Sequence, residues 1–333
     1  MNRRIMTAWF GQKGGEVMKK SLTAVVLAGA LAAATLAGCG STSASGASSQ
    51  AASSEASSVA ASTEASASTE ASQAAETSSV AAGSKGKITV AATEVPHAEI
   101  LEAAKPILAK EGWDLEVTTF EDYIQPNQVV ASGEIDCNYF QHQPYLDEYN
   151  KENNTDLVAV GWIHYEPLGI YPGNTKDLSN IPDGVKIAVP NDTTNEARAL
   201  QLLQLNGIIK LKDGVGLNAT AKDVIKDQSH NAEIIELEAA QVSQHASEVD
   251  YMVLNGNYAM QAGYDVEKDA LAYEKSDSDA AKTYVNVIVT TPDKKDNEGI
   301  KALVDVLKSD EITKFINDKY KGSVLPYDGE ALN

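Results

Sequence analysis

The chain predicts an α/β protein whose folded body is divided into two lobes. Three observations lead there. From residue 87 onward, short apolar runs alternate with helix-period patterns, as strands crossed by helices require. The body, residues 85–333, is about 249 residues long, which is large for a single core. Hydrophobic residues make up 43% of the whole, enough for packed cores and too many for wholesale disorder.

The elements follow in order. Residues 1–38 are expected to be an export leader. Lys19 and Lys20 precede an apolar run over 22–37, and small residues follow. Met18-Lys19-Lys20 already opens a complete leader, so Met18 is the expected true start. The run is short and rich in Ala and Gly for a membrane span. It ends Leu36-Ala37-Gly38-Cys39, which resembles a bacterial lipobox, in which the cysteine becomes the acylated N-terminus. Residues 39–84 then form a lipidated cysteine and a tether. The tether is mostly Ser, Ala, Thr, Gly and Glu, with no aromatic residue and Val59 and Val80 as its only valines. It cannot bury enough surface to offset ordering entropy. Such a stalk suits a Gram-positive surface, where a wall lies outside the membrane.

Within the body, strands are expected over 87–93, 114–120, 135–140, 157–164, 168–171, 186–189, 232–238, 249–254 and 284–290. Helices are expected over 98–111, 126–132, 145–153, 195–206, 256–262, 298–308 and 311–320. The last two carry Ile300, Leu303, Val304 and Leu307, then Ile312, Phe315 and Ile316, one apolar stripe each. The alternation argues for mainly parallel sheets.

Charge and chemistry exclude several classes. Lys and Arg number 27 against 47 Asp and Glu, a net charge of −20. That is the wrong sign for engaging nucleic-acid phosphates or anionic lipid. Cys39 and Cys137 are the two cysteines, too few for a disulfide scaffold, and lipidation of Cys39 leaves Cys137 without a thiol partner. Gly214-Val215-Gly216-Leu217-Asn218-Ala219 matches a dinucleotide-binding spelling but not its strand-turn-helix context. It reads as a turn at Asp213-Gly214 with Asn218 as a helix N-cap. The five histidines form no metal-ligand pair on a helix face. Cys137 lies in an apolar run and reads as a small hydrophobe rather than a nucleophile. No catalytic signature is present, so a binding protein without cofactor or metal is expected.

Three clusters suggest a ligand site. Tyr123, Asn138, Phe140, His142 and Tyr145 mix rings with polar groups, as either a pocket or a core cluster would. The segment from Pro190 to Arg198 follows a strand and opens a helix, the place where α/β proteins offer N–H groups to anions. Arg198, expected in the first turn of that helix, suits either a carboxylate or solvent. Asn255-Gly256-Asn257 follows an apolar run, and Asn286 interrupts another. Their amides need partners, from a ligand or from the fold.

At these residues the chain resembles the NlpA/MetQ family of lipid-anchored, methionine-binding components of bacterial ABC importers. The specific pieces are Phe120-Glu121-Asp122-Tyr123-Ile124-Gln125-Pro126-Asn127, Asn138-Tyr139-Phe140-Gln141-His142-Gln143-Pro144-Tyr145-Leu146-Asp147 and Ala188-Val189-Pro190-Asn191-Asp192-Thr193-Thr194-Asn195. Arg198, the 211–217 segment, Val253-Leu254-Asn255-Gly256-Asn257-Tyr258-Ala259 and Tyr284-Val285-Asn286-Val287-Ile288-Val289 continue it. The resemblance implies a periplasmic-binding-protein type II clamp, two α/β lobes with a cleft between them. Lobe one would be 85–167 plus 269–333, and lobe two 168–268. By the same resemblance Tyr123, Phe140, His142 and Tyr145 wall a thioether, Arg198 holds a carboxylate, and Asn195, Asn255 and Asn286 orient the amino-acid head. Alanine at Arg198 or Asn255 is expected to cost affinity with the fold intact. Glu166, in His164-Tyr165-Glu166-Pro167, could pair with the ligand ammonium or serve as a hinge.

The expected function is capture of L-methionine and its delivery to a membrane permease driven by a separate ATPase, from the extracytoplasmic face of the cell membrane. The alternatives are D-methionine or short methionine peptides, or a surface lipoprotein or adhesin outside transport.

Overall fold

A computed structural model of the chain describes residues 83–329. The leader, Cys39 and the tether up to residue 82 lie outside the described residues.

The order is β1 (Gly86–Thr93), a turn at Glu94–Ala98, α1 (Glu99–Lys110), β2 (Trp113–Phe120), α2 (Gln125–Ala131), β3 (Cys137–His142), α3 (Gln143–Asn153) and β4 (Val158–Tyr165). Then come β5 (Gly169–Pro172), β6 (Lys186–Pro190), α4 (Thr193–Leu205), β7 (Glu233–Leu237), β8 (Tyr251–Leu254), α5 (Gly256–Gln261) and α6 (Val266–Asp269). The chain ends through β9 (Ala272–Tyr273), α7 (Asp279–Thr283), β10 (Val285–Thr290), α8 (Glu298–Leu307), α9 (Asp310–Tyr320) and β11 (Leu325–Pro326).

Two sheets result. One has the order β11-β4-β10-β3-β1-β2, the other β7-β6-β8-β5-β9. The chain passes from the first to the second across residues 166–168 and returns across 274–284. These are the two α/β lobes of the clamp. The sheets are mixed rather than mainly parallel. β1 runs parallel to β2 and β3, and β6 to β7 and β8. β10 runs antiparallel to both β3 and β4, and β5 to β8 and β9. The reason is the route. A crossover helix delivers a parallel strand, whereas β10 arrives from the other sheet and inserts between two strands already laid down.

Each lobe has its own core. In the first, Ile88 and Val90 of β1 meet Ile100, Leu101 and Leu108 of α1 and the stripes Ile300, Leu303, Leu307 and Ile312, Ile316 of α8 and α9. Cys137 belongs to this core, fully buried and free, and burial raises its thiol well above the ordinary value. In the second, Ile187 and Val189 of β6 pack on Leu200, Leu202 and Leu203 of α4 and on Val253 of β8. Among the described residues, no helix is long and apolar enough to cross a membrane. Gly216–Asn218 is a single short turn, and the residue that caps the next turn is Thr220, not Asn218. A run of three residues has no room for the helix that an Asn cap would announce.

Candidate functional site

The facing edges of the two lobes line a narrow cavity of about 20 Å³. Its lining is Tyr123, Phe140, Gln141, His142, Tyr145, Glu166, Asn195, Arg198, Asn255, Gly256, Asn257 and Asn286. All eight residues singled out from sequence, and Glu166, are brought to this one space. Asn138 is not. It is buried beneath, in an amide cluster with Asn127 and Gln141.

One side of the cavity is aromatic. Tyr123 follows β2, Phe140 and His142 end β3, and Tyr145 stands in the first turn of α3. The Tyr123 ring lies 5.9 Å from Phe140 and 5.8 Å from Tyr145, and Phe140 lies 5.9 Å from Tyr145 in an edge-to-face contact. His142 caps α3: its Nδ1 accepts the Tyr145 backbone N–H at 3.2 Å. Its Nε2 meets Asn195 Oδ1 of the other lobe at 3.0 Å. With Nδ1 an acceptor, Nε2 carries the proton and the ring is neutral. Burial, then the nearby Arg198 charge, pushes this imidazole down to about 3.

The other side is polar. Asp192 caps α4 by accepting the Asn195 N–H, and its carboxylate also holds the Asn195 amide. Asn195 Oδ1 in turn accepts from Asn255 Nδ2 at 2.9 Å. Two buried amide atoms in the cavity lining have no partner, Asn255 Oδ1 and Asn257 Nδ2, an acceptor and a donor in want of a ligand.

Arg198 lies in the second turn of α4, because the helix starts at Thr193 rather than at Asn195. It is buried and paired. Nε donates to Glu274 Oε1 at 2.9 Å, and Nη2 donates to Glu274 Oε2 at 2.6 Å and to the Glu166 carbonyl at 2.9 Å. The guanidinium stacks on Tyr284, 4.1 Å from the ring centroid. This leaves Nη1 for another acceptor. Burial alone would raise the Glu274 carboxyl, but the Arg198 charge and hydrogen bonds hold it below its ordinary value. Glu274 also accepts from Tyr165 OH at 2.6 Å and from Leu168 N–H at 2.9 Å. The expectation that Arg198→Ala leaves the fold intact is therefore corrected, because truncation strands a buried carboxylate.

Behind the cavity, His97, His164 and Glu166 place donor atoms within 4.8 Å of one another, a possible metal-ligand set. Their hydrogen bonds assign the protons otherwise. His97 Nε2 lies 3.0 Å from Asn286 Oδ1, and Nδ1 lies 2.7 Å from Thr93 Oγ1. His164 Nε2 lies 2.7 Å from Glu166 Oε1, and Nδ1 meets Tyr139 OH. Each Nε2 faces an oxygen that can only accept, so each carries hydrogen there and has no lone pair for a metal. Burial lowers both imidazoles, His97 to about 4 and His164 to about 3. Desolvation raises Glu166. Sequence reading missed Glu274 and the His97–His164 pair. Glu274 stands alone in a polar segment, and nothing local points it at a helix 76 residues earlier.

Residues 88–327 match the model of the NlpA lipoprotein family. A "D-methionine-binding lipoprotein MetQ" of Escherichia coli (strain K12) is 41% identical over 230 residues, covering 68% of this chain and 83% of that one. The crystal structure of a lipoprotein from Ruminococcus gnavus ATCC 29149 is 63% identical, with a TM-score of 0.71 over 73% of this chain and 99% of that chain. A nutrient binding protein from Burkholderia cenocepacia, solved bound to methionine, is 40% identical, with a TM-score of 0.68 over 72% of this chain and 99% of that chain.

Proposed function

The chain belongs to the NlpA lipoprotein family, and from that premise we propose that it captures L-methionine between its lobes and hands it to the permease of an ABC importer. The observation that carries the reading is the composition of one cavity. Four rings, Tyr123, Phe140, His142 and Tyr145, line it together with the amides of Asn195, Asn255 and Asn286 and the guanidinium of Arg198. A thioether against ring edges gains roughly 0.3–1.5 kcal/mol per contact. The carboxylate meets Arg198 Nη1, and the unpartnered Asn257 Nδ2 adds a donor. Contacts to both lobes favour the closed state, and that differential affinity is what signals occupancy to the transporter. Cys39 carries the lipid that keeps the protein at the extracytoplasmic face, on a Gram-positive surface. ATP hydrolysis belongs to a separate subunit.

The name of the Escherichia coli relative makes D-methionine the competing ligand, and short methionine peptides are a third. Native mass spectrometry of protein purified without denaturation, followed by calorimetric titration with L-methionine, D-methionine and Gly-Met, separates them. The expected result is a co-purified mass of methionine and tightest binding of the L form. Tightest binding of D-methionine or Gly-Met reassigns the ligand, and no binding of any of the three refutes the reading.

A further inference from the structure

The amide cluster beneath the cavity closes into a ring. Asn127, Asn138 and Gln141 are all buried. Asn138 Nδ2 donates to Asn127 Oδ1 at 2.9 Å and to the Pro126 carbonyl at 3.2 Å. Gln141 Nε2 donates to Asn127 Oδ1 at 2.6 Å and to Asn138 Oδ1 at 2.9 Å, and Gln141 Oε1 accepts from Asn127 Nδ2 at 3.0 Å. A regular strand cannot build this ring. Asn138 and Gln141 are three residues apart in β3, and side chains at that spacing point to opposite faces. β3 is not regular. Against β10, Gln141 stands opposite Val287 and Tyr139 opposite Ile288, so Phe140 is one residue too many for the ladder. Such a bulge bends the strand and re-aims side chains. It brings Gln141 round to the face of Asn138, and the bulged residue is itself one ring of the cavity wall. The amides also reach the neighbouring element. Pro126 and Asn127 stand in the first turn of α2, which is entered through Tyr123, and Asp122 Oδ1 fastens that entry by accepting the Ile124 and Gln125 N–H groups. The Tyr123 and Phe140 rings, 5.9 Å apart, are therefore carried by two elements that the amides tie together. Apolar packing at the same place would tolerate repacking, whereas satisfied buried hydrogen bonds specify one arrangement.

We propose that the Asn127–Asn138–Gln141 ring is the positioning device of the aromatic wall: it pins the bulge at Phe140 and the entry to α2, and thereby sets how long a ligand tail the cleft accepts. This rests on the proposed function, by which Tyr123 and Phe140 wall the thioether, and deepens it by naming what fixes tail length. Asn127 and Asn138 lie outside the cavity lining, so they act through Phe140 and Tyr123 and not by touching the ligand. A pocket of fixed depth separates tails that differ by one methylene by about 10–200-fold. A pocket whose wall can shift yields to the extra methylene and loses that ratio, while the tail that already fits loses less.

The test is calorimetric titration of the mature protein with L-methionine and with L-ethionine, which is one methylene longer beyond the sulfur. The wild type is expected to prefer methionine by roughly 10–200-fold. Asn127→Leu and Asn138→Leu keep the branched shape and remove the directional bonds, and each is expected to narrow that preference by at least about fivefold. Leu303→Ala is the control. Leu303 is fully buried in the core of the same lobe and is no part of the amide ring, so its truncation destabilises the lobe and is expected to leave the preference at the wild-type ratio. Circular dichroism confirms folding, and where a leucine variant does not fold, Asn138→Ser, small and polar, is titrated in its place with the same expectation. A wild type that binds the two amino acids within about threefold overturns the proposal without any variant. So does an equal narrowing in Leu303→Ala, because the preference would then follow stability and not the ring. A wild type that binds neither amino acid fails both the function and this inference, whereas methionine binding with an unchanged preference in the amide variants fails the inference alone.

Discussion

Asn255 and Arg198 border the same cavity but stand in different energetic positions. Asn255 gives one hydrogen bond to Asn195 and keeps its oxygen unpaired, so Asn255→Ala is expected to abolish most methionine affinity and to change stability by less than about 1 kcal/mol. Arg198→Ala leaves Glu274 buried without its cation and is expected to cost roughly 3–5 kcal/mol of stability as well as affinity. Urea unfolding beside calorimetry separates the two. His142 gives a pH signature. Its folded value, about 3, lies below the unfolded one near 6.5. The unfolded chain therefore binds the proton first, and this histidine's contribution is complete above about pH 6.5 and lost as pH falls toward 3. The stability advantage of wild type over His142→Gln is expected to shrink from pH 7 to pH 5, by at most about 1.4 kcal/mol per unit; a constant advantage refutes the assignment. At this scale the aromatic wall and the asparagines were legible, because they sit in long recognisable runs. The charge partners were not. Glu274 and His97 acquire their roles only from residues 76 and 189 positions away.

Among the elements, helices α8 and α9 were the most legible, since a single apolar stripe is a local property of sequence. Leu303 sits at the centre of the α8 stripe and is fully buried, so Leu303→Ala is expected to cost about 2–5 kcal/mol in urea unfolding with methionine affinity retained. The 216–245 region was less legible, because its turns are three to seven residues long and leave no periodicity to read. Sheet order was also hidden. The position of β10 between β3 and β4 is fixed by the return path between lobes, and no pattern inside 285–290 announces its direction.

Across the whole molecule, closure is written in hydrogen bonds that need no ligand. Tyr123 OH donates to Asn257 Oδ1 at 2.5 Å, and Tyr258 OH donates to the Glu121 carbonyl at 2.9 Å. Each joins the end of β2 to the start of α5. Tyr258 is outside the cavity lining, so Tyr258→Phe is expected to loosen closure alone. Loss of one such bond, about 0.5–1.5 kcal/mol, should lower apparent methionine affinity by roughly 2–12-fold and enlarge the radius of gyration of the unliganded protein in solution scattering. An unchanged radius and affinity would show that this tyrosine is not a latch. Two lobes could be inferred from two cores' worth of sequence and the clamp from the family resemblance, but which contacts latch it could not, because they join residues 134 and 137 positions apart. One last consequence comes from Glu274. It is tied to Tyr165 and Leu168, on either side of the outgoing crossing, and it lies on the returning crossing itself. A guanidinium moored at the fulcrum sweeps a smaller arc than rings carried on the jaws. If Arg198 holds the nutrient's head, as proposed above, that head can berth at the fulcrum before the jaws enclose its tail.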